Sequence, residues 1–315
     1  MSAPSFAIVI TAYEAAATIG AAVDSALAQT RPAEEVIVVD DGSRDDLAAA
    51  LAPYGDRVSL MRRENGGGAA ARNTGAEAAR SEFMAILDAD DAYEARRLEA
   101  IAALAGERPE LDLIATDASF VVDGATKGTF LEHNPFPRGD QRLAIFERCF
   151  PTGWPAVRLS ALREAGGFDP EMRIAYDWDC WLRMILAGST VGMVEEPLYD
   201  YVLHGGSLAS SRLASLRERV ALLEKAGANP NLRTDERPAL ERWLGVYREQ
   251  VARGAIEAAL QGGGSSRQEL GRLARSRDLG LRTRALAGLA AAAPSLVRRL
   301  APSPPPPEER FGAAD

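Results

Sequence analysis

Asp88, Asp90 and Asp91 fall within four positions at the end of an apolar run, residues 83–87. That run reads as a short buried strand. Three carboxylates at one strand end repel one another, and folding alone gains nothing from placing them together. A divalent cation offsets the repulsion most simply, because hard cations prefer carboxylate oxygens. In open α/β sheets, ligands sit in the crevice outside such strand ends. A solvated acidic turn capping a helix over residues 95–104 accounts for the same stretch, since Asp is a good N-cap. These residues alone leave both readings open.

The flanking elements decide what could meet the acidic turn. Residues 6–11 form a continuous β-branched run, as expected of a fully buried parallel strand. A helix over 14–28 follows, with Ile19, Ala22, Val23, Ala26 and Leu27 on one face. Residues 36–39 read as a second buried strand ending in Asp40-Asp41-Gly42-Ser43. A helix over 44–54 stopped at Gly55, a strand over 58–62, the turn Asn65-Gly66-Gly67-Gly68 and a helix over 69–79 lead into the acidic strand. Another helix and a strand over 111–116 come after it. Strand and helix alternate four times, which predicts parallel strands joined by right-handed crossovers in an α/β sheet. Strand ends in such a sheet point to one edge, so Thr11, Asp41, Asp88 and Asp90 converge there.

Beyond residue 117 the pattern predicts a hairpin over 118–130 turning at Asp123-Gly124, then a helix over 142–150. Pro151-Thr152-Gly153-Trp154-Pro155 reads as an ordered loop with an exposed aromatic. A helix over 177–187 carries Trp178, Trp181, Leu182 and Ile185, and extended segments follow at 190–194 and 199–204. After Ser210 the β signal vanishes: helices are expected over 213–226, 238–260 and 267–275, and over 282–300 with Pro294 interrupting. Residues 302–315 contain four successive prolines and are expected to be disordered or extended.

Composition narrows the classes. The 315 residues suffice for a substantial core, and 47% are hydrophobic. A net charge of −9 argues against generic nucleic-acid binding, which needs a basic face. Two cysteines, Cys149 and Cys180, make neither a disulfide framework nor a zinc site, so a reducing cytoplasm is the simpler compartment. The first strand begins almost at once, leaving no room for a signal peptide, and no apolar run approaches the roughly 18 residues of a membrane span.

At this point several motifs in order resemble those of family 2 glycosyltransferases. They are Thr11-Ala12-Tyr13, Val38-Val39-Asp40-Asp41-Gly42-Ser43, Asn65-Gly66-Gly67 with Ala71-Arg72-Asn73, and Asp88-Ala89-Asp90-Asp91. Gly166-Gly167-Phe168-Asp169 followed by Asp177-Trp178-Asp179-Cys180-Trp181-Leu182-Arg183 resembles the acceptor-side motif. Tyr201 and His204-Gly205-Gly206-Ser207 resemble the closing segment. The resemblance covers roughly residues 4–210. It implies a GT-A nucleotide-diphospho-sugar transferase fold, α/β with a mostly parallel central sheet, plus an α-helical C-terminal extension. The implied divisions are a catalytic domain over 1–210, with a nucleotide-sugar half over 1–117 and an acceptor half over 118–210. A helical region over 211–301 and the Pro-rich tail over 302–315 complete the chain.

By that resemblance Thr11, Tyr13 and Asp41 hold the nucleotide, Asp41 accepting from a base N–H. Arg72 lies beside base or phosphates, where its fork of donors suits anionic oxygens. Asp88 contacts ribose or metal-bound water, while Asp90 ligates Mg2+ or Mn2+ and His204 completes the metal or phosphate shell. Asp177 is the general base of an inverting transfer from a nucleotide diphosphate-sugar, UDP- or dTDP-linked, to a hydroxyl of a glycan or glycolipid. Asp179 is the fallback base, and Trp154 is the candidate for stacking on an acceptor sugar. Tyr176 stands where the family usually carries Glu, and Glu14 where Asn is common, which keeps a non-catalytic sugar-nucleotide-binding module as the alternative. Asp40, Trp178, Trp181 and Cys180 are expected to be structural, and His133 to have no role. A sugar nucleotidyltransferase or a dinucleotide-dependent dehydrogenase would need a Gly-rich loop after the first strand, and Thr11-Ala12-Tyr13-Glu14 offers none. Residues 267–300, rich in arginine and leucine, have two readings. They could lie on an anionic bilayer, at the inner face of the plasma membrane, or pack against the catalytic domain or in a homodimer.

Overall fold

The computed structural model describes residues 3–203, 208–260 and 267–292. In chain order the elements of the first unit are β1 (Phe6–Ala12), α1 (Ile19–Leu27), β2 (Glu35–Asp40), α2 (Leu47–Leu51), β3 (Ser59–Arg62), α3 (Gly68–Ala78), β4 (Phe83–Asp88), β5 (Ala92–Tyr93), α4 (Arg97–Glu107), β6 (Leu113–Val122), β7 (Ala125–Thr129), α5 (Phe130–His133), α6 (Gln141–Glu147), β8 (Ala156–Arg158), α7 (Leu159–Glu164), α8 (Tyr176–Ala187) and β9 (Val191–Val202). The helical unit carries α9 (Leu208–Gly227), α10 (Arg237–Leu260), α11 (Arg267–Leu273) and α12 (Leu281–Ala292). The chain divides into two compact units, residues 1–205 and 206–315.

One sheet runs β3-β2-β1-β4-β8-β6-β9-β5, with β7 paired to β6. β1 lies at the heart of its parallel part because nearly every residue in it is apolar and buried, as a strand covered on both faces requires. Its register sets the site: Thr11 pairs with Val39 of β2 and with Asp88 of β4, so three strand ends arrive level. α3 crosses β1 so closely that a Cβ on Gly75 would sit 2.3 Å from Val9 Cγ1. β8 runs antiparallel to both β4 and β6, and β6 returns to parallel pairing with β9.

Several expectations shift for local reasons. α1 begins at Ile19, not at residue 14, because Glu14 takes φ 52° and residues 14–16 tie to the loop after β2. There Glu14 N–H donates to Ser43 Oγ and Ala16 N–H to Asp45 Oδ2. The helix read over 44–54 is one short α-turn, N-capped by Asp46, followed by a 3-10 stretch in which Gly55 is left-handed. The segments read at 111–116 and in the first arm of the hairpin fall on one strand, β6. Those read at 190–194 and from 199 onward fall on another, β9, which ends at Val202; residue 204 lies outside the described residues. The apparent breaks are register shifts on either side of Asp117, where Pro197 stands opposite. Asp123 and Gly124 both have positive φ, the primed turn the hairpin reading required. α5 replaces the expected end of the second hairpin strand, its first turn closed by a capping box between Thr129 and Glu132.

Candidate active site

Thr11 Oγ1 donates to Asp88 Oδ1 at 3.1 Å, a direct consequence of the β1–β4 register. Asp41, one residue past β2, is buried, and its carboxylate organises the glycine turn. It accepts from Gly66 N–H, from Gly67 N–H at 2.7 Å and from the Arg63 guanidinium. Most of its accepting capacity is therefore engaged within the chain. Asp40 accepts from Ser43 N–H at 2.8 Å, a purely local turn bond. Tyr13 stands 52% exposed at the same rim.

Arg72, on α3, is the hub. Its Nη2 donates to both Asp88 oxygens at 3.1 and 3.3 Å, and its Nη1 to the Gly153 carbonyl at 2.9 Å. Its guanidinium lies 5.1 Å from the Tyr176 ring centre and 5.8 Å from that of Phe168. Burial by itself would lower its pKa, but Tyr176, Asp88 and Asp177 more than compensate, and the cation is held firmly charged. Its Nε has no hydrogen-bond partner among the described residues.

Asp177, in the first turn of α8, lies within electrostatic reach of both Arg72 and Asp88. Burial raises its pKa, with Arg72 and the Trp178 N–H, 2.7 Å from Oδ1, pulling the other way. A Cβ on Gly153 would lie 2.9 Å from Asp177 Oδ2. A side chain at Gly153 would therefore push the Asp177 carboxylate aside.

The acidic turn is built from three carboxylates in different surroundings. Asp88 faces Arg72, and Asp90 is exposed. Asp91 is buried, accepting from Tyr199 Oη at 2.7 Å and from Val202 N–H at 2.8 Å. Burial, reinforced by Asp88 and Asp90, pushes the Asp91 carboxyl up to about 8. Tyr201 feels Asp91, Asp88, Asp90 and Asp177 together, which places all four around one region. Among the described residues no three His, Cys, Asp or Glu side chains converge as metal ligands. Asp88 and Asp90 nevertheless supply hard oxygens at one turn. One or two carboxylates are what Mg2+ takes from a protein when substrate phosphates provide further oxygens, so this donor set fits such an ion.

Two expected site residues fare differently. Trp154 is not an exposed platform: it is 7% exposed, stacked on Tyr199 at 4.7 Å and Tyr201 at 5.3 Å, with Phe130 edge-on. Its carbonyl accepts from the fully buried Arg97, and two residues on Ala156 begins β8 in the middle of the sheet. The two prolines beside it signal a loop in sequence, but a strand of three residues gives no period from which to foresee the core. His204 lies outside the described residues. Asp179, the fallback base, is buried and bound to Arg183 Nε at 2.9 Å. Trp178 and Trp181 are core, their Nε1 groups donating to the Ile145 and Thr152 carbonyls. Cys180 is fully buried as expected.

Sequence reasoning missed Gly153 and the role of Asn73. Asn73 clamps Phe168 by two bonds, Nδ2 to the carbonyl at 2.7 Å and Oδ1 from the N–H at 2.8 Å. This holds the Gly167-Phe168 turn against α3 and seats the Phe168 ring near Arg72. The signal was present, since both lie inside the quoted motifs, but nothing in sequence pairs positions 95 residues apart. Tyr176 also gains a place: a Cβ on Gly68 would meet its hydroxyl at 2.6 Å, so the ring closes over the start of α3.

Residues 7–166 match the model of Glycosyl transferase family 2. The succinoglycan biosynthesis protein ExoU of Rhizobium meliloti is 31% identical over 261 residues, covering 75% of this chain and 73% of that protein. A PGL/p-HBAD biosynthesis glycosyltransferase of Mycobacterium bovis is 33% identical over 193 residues, covering 58% of this chain and 70% of its own. S. aureus TarS 1-349, solved in complex with UDP-GlcNAc, superposes with a TM-score of 0.68 at 19% identity, over 93% of this chain and 89% of that one. The sheet is thus of the GT-A kind, and the chain is a glycosyltransferase belonging to glycosyl transferase family 2.

Proposed function

We propose that the chain is an inverting transferase that moves a sugar from a UDP- or dTDP-linked donor to a hydroxyl of a glycan or glycolipid. The observation that carries this reading is the grouping of Asp88 and Asp177 about one buried guanidinium, Arg72. A carboxylate whose pKa burial raises is a stronger base than a free one and is suited to general-base work. Asp177 takes the proton of the acceptor hydroxyl while that oxygen attacks the anomeric carbon. The bond from that carbon to the diphosphate breaks, its electrons leave on the phosphate oxygen, and configuration inverts without a covalent intermediate.

The nucleotide is assigned to the rim beside Thr11, Tyr13 and the Asp41-anchored glycine turn, with the Tyr13 ring free to lie on a base. Arg72 holds Asp88 by hydrogen bonds, acts on Asp177 through its charge, and places positive charge under the diphosphate. A divalent cation, held by Asp88 and Asp90, would neutralise charge developing on the leaving diphosphate. The printed names of the relatives favour polysaccharide or glycolipid assembly, and that of the solved neighbour favours a UDP-sugar.

The test is a panel of nucleotide sugars scored by nucleoside diphosphate release with Mn2+, with and without chelator. One donor should be hydrolysed slowly without acceptor, and chelation should stop it. Tight donor binding without release from any of them would favour the binding module instead.

A further inference from the structure

The buried face of α12 is satisfied: Ala287 and Ala290 pack with Ile256 and Leu270 of α10 and α11. Its other face is not. Leu281, Leu286 and Leu289 are 79, 46 and 50% exposed, and at 100° per residue they share an arc of about 140° with Arg282 among them. Three leucines on one face of a 12-residue helix go beyond the scattered apolar residues of an ordinary surface.

The charge around this ridge opposes that of the whole chain. Residues 267–292 hold six arginines and two acids, in a protein of net charge −9. Both acids are engaged by arginines from elsewhere, Glu269 with Arg217 of α9 at 2.6 Å and Asp278 with Arg248 of α10 at 3.7 Å. Among the described residues Arg267, Arg272, Arg275, Arg277, Arg282 and Arg284 form no ion pair, and all but Arg284 are exposed. A purely solvated face intersperses both signs. A symmetric contact with a second copy would bring arginine against arginine. An apolar ridge on a segment where arginines outnumber acids, with Glu249 of α10 held at the start of α12 by Gly280 N–H and Thr283 Oγ1, instead complements an anionic lipid surface, where leucines enter the acyl boundary and arginine stems reach out to phosphates.

We propose that α12 docks this chain on anionic membranes, with Leu281, Leu286 and Leu289 inserted and the arginines of residues 267–284 at the lipid phosphates. The full chain is floated with phosphatidylcholine vesicles, alone or with about 30 mol% phosphatidylglycerol. Wild type should float with the anionic vesicles only and be released by salt. Leu286→Glu with Leu289→Glu should reduce binding by about tenfold or more, since two carboxylates replace two inserted side chains. Arg277→Gln and Arg282→Gln should each weaken it about fivefold. All these positions are exposed, so circular dichroism and melting should match wild type. Wild type failing to float, floating equally with neutral vesicles, or floating undiminished in the Leu286→Glu/Leu289→Glu variant would overturn the proposal. So would a dimer that these substitutions dissociate without vesicle binding, which would assign the face to a second copy. No donor is present, so the result is independent of the transfer chemistry.

Discussion

Arg72→Met preserves much of the side chain's length while removing its charge, its fork and its bond to the Gly153 carbonyl. The guanidinium is 3% exposed and its partner Asp88 is 32% exposed. Removing one member of a buried pair costs about 3–5 kcal/mol when the survivor is stranded away from water. Water already reaches Asp88, so the loss here should fall below that range, about 2–3 kcal/mol. In a unit of 205 residues each kcal/mol moves the melting temperature by about 2–4 °C, which predicts a fall of about 5–10 °C. The functional consequence has a definite sign. Burial raises the Asp177 pKa and Arg72 lowers it, so without Arg72 the carboxyl rises further. Loss of activity on acidification should then set in at higher pH in Arg72→Met than in wild type. Differential scanning fluorimetry and a pH profile of nucleoside diphosphate release measure the two effects. An unchanged melting temperature together with an unmoved acidic limb would refute Arg72 as the hub.

Other outcomes follow from single contacts. Gly153→Ala should retain the fold but cut turnover by about tenfold or more, because its Cβ must displace Asp177 Oδ2; unchanged kcat would remove Gly153 from the site. Asp91 should make stability fall as pH rises. In chelator its native pKa of about 8 exceeds the unfolded value near 3.8, so between those pH values the native state alone holds the proton. One such proton contributes a slope of about 1.4 kcal/mol per pH unit. Asp91→Asn should flatten that slope in urea titrations, whereas a parallel pH dependence would contradict the burial assignment. Trp154→Ala should lower stability by about 3 kcal/mol by emptying a stacked core site, read by denaturant unfolding; a loss confined to acceptor KM would instead restore the sugar-platform reading.

The sequence carried the parallel half of this molecule well because its strands are long, apolar and bounded by glycine and aspartate. β1, β2 and β4 each read as buried runs, and the residues just past them converge as that pattern requires. The antiparallel half was less legible. β5 and β8 have two and three residues, too few for a period, and β6 and β9 hide their continuity behind register shifts. The same weakness misplaced Trp154, since local prolines outweighed a tertiary neighbour that only the fold supplies. Arg72 was picked out for its donors, yet the ring beside it could not be read. Tyr176 looked like a departure from the family pattern, whereas its ring packs on the guanidinium and over Gly68.

Asp177, as the proposed base, should move a proton without holding the donor, and Asp177→Asn tests this most directly. Calorimetric titration with the donor identified by the panel, run alongside product formation with acceptor, separates the two roles. Donor affinity should stay within about threefold of wild type while transfer falls by at least about a thousandfold. Transfer at the wild-type rate, or loss of donor binding in step with turnover, would contradict it.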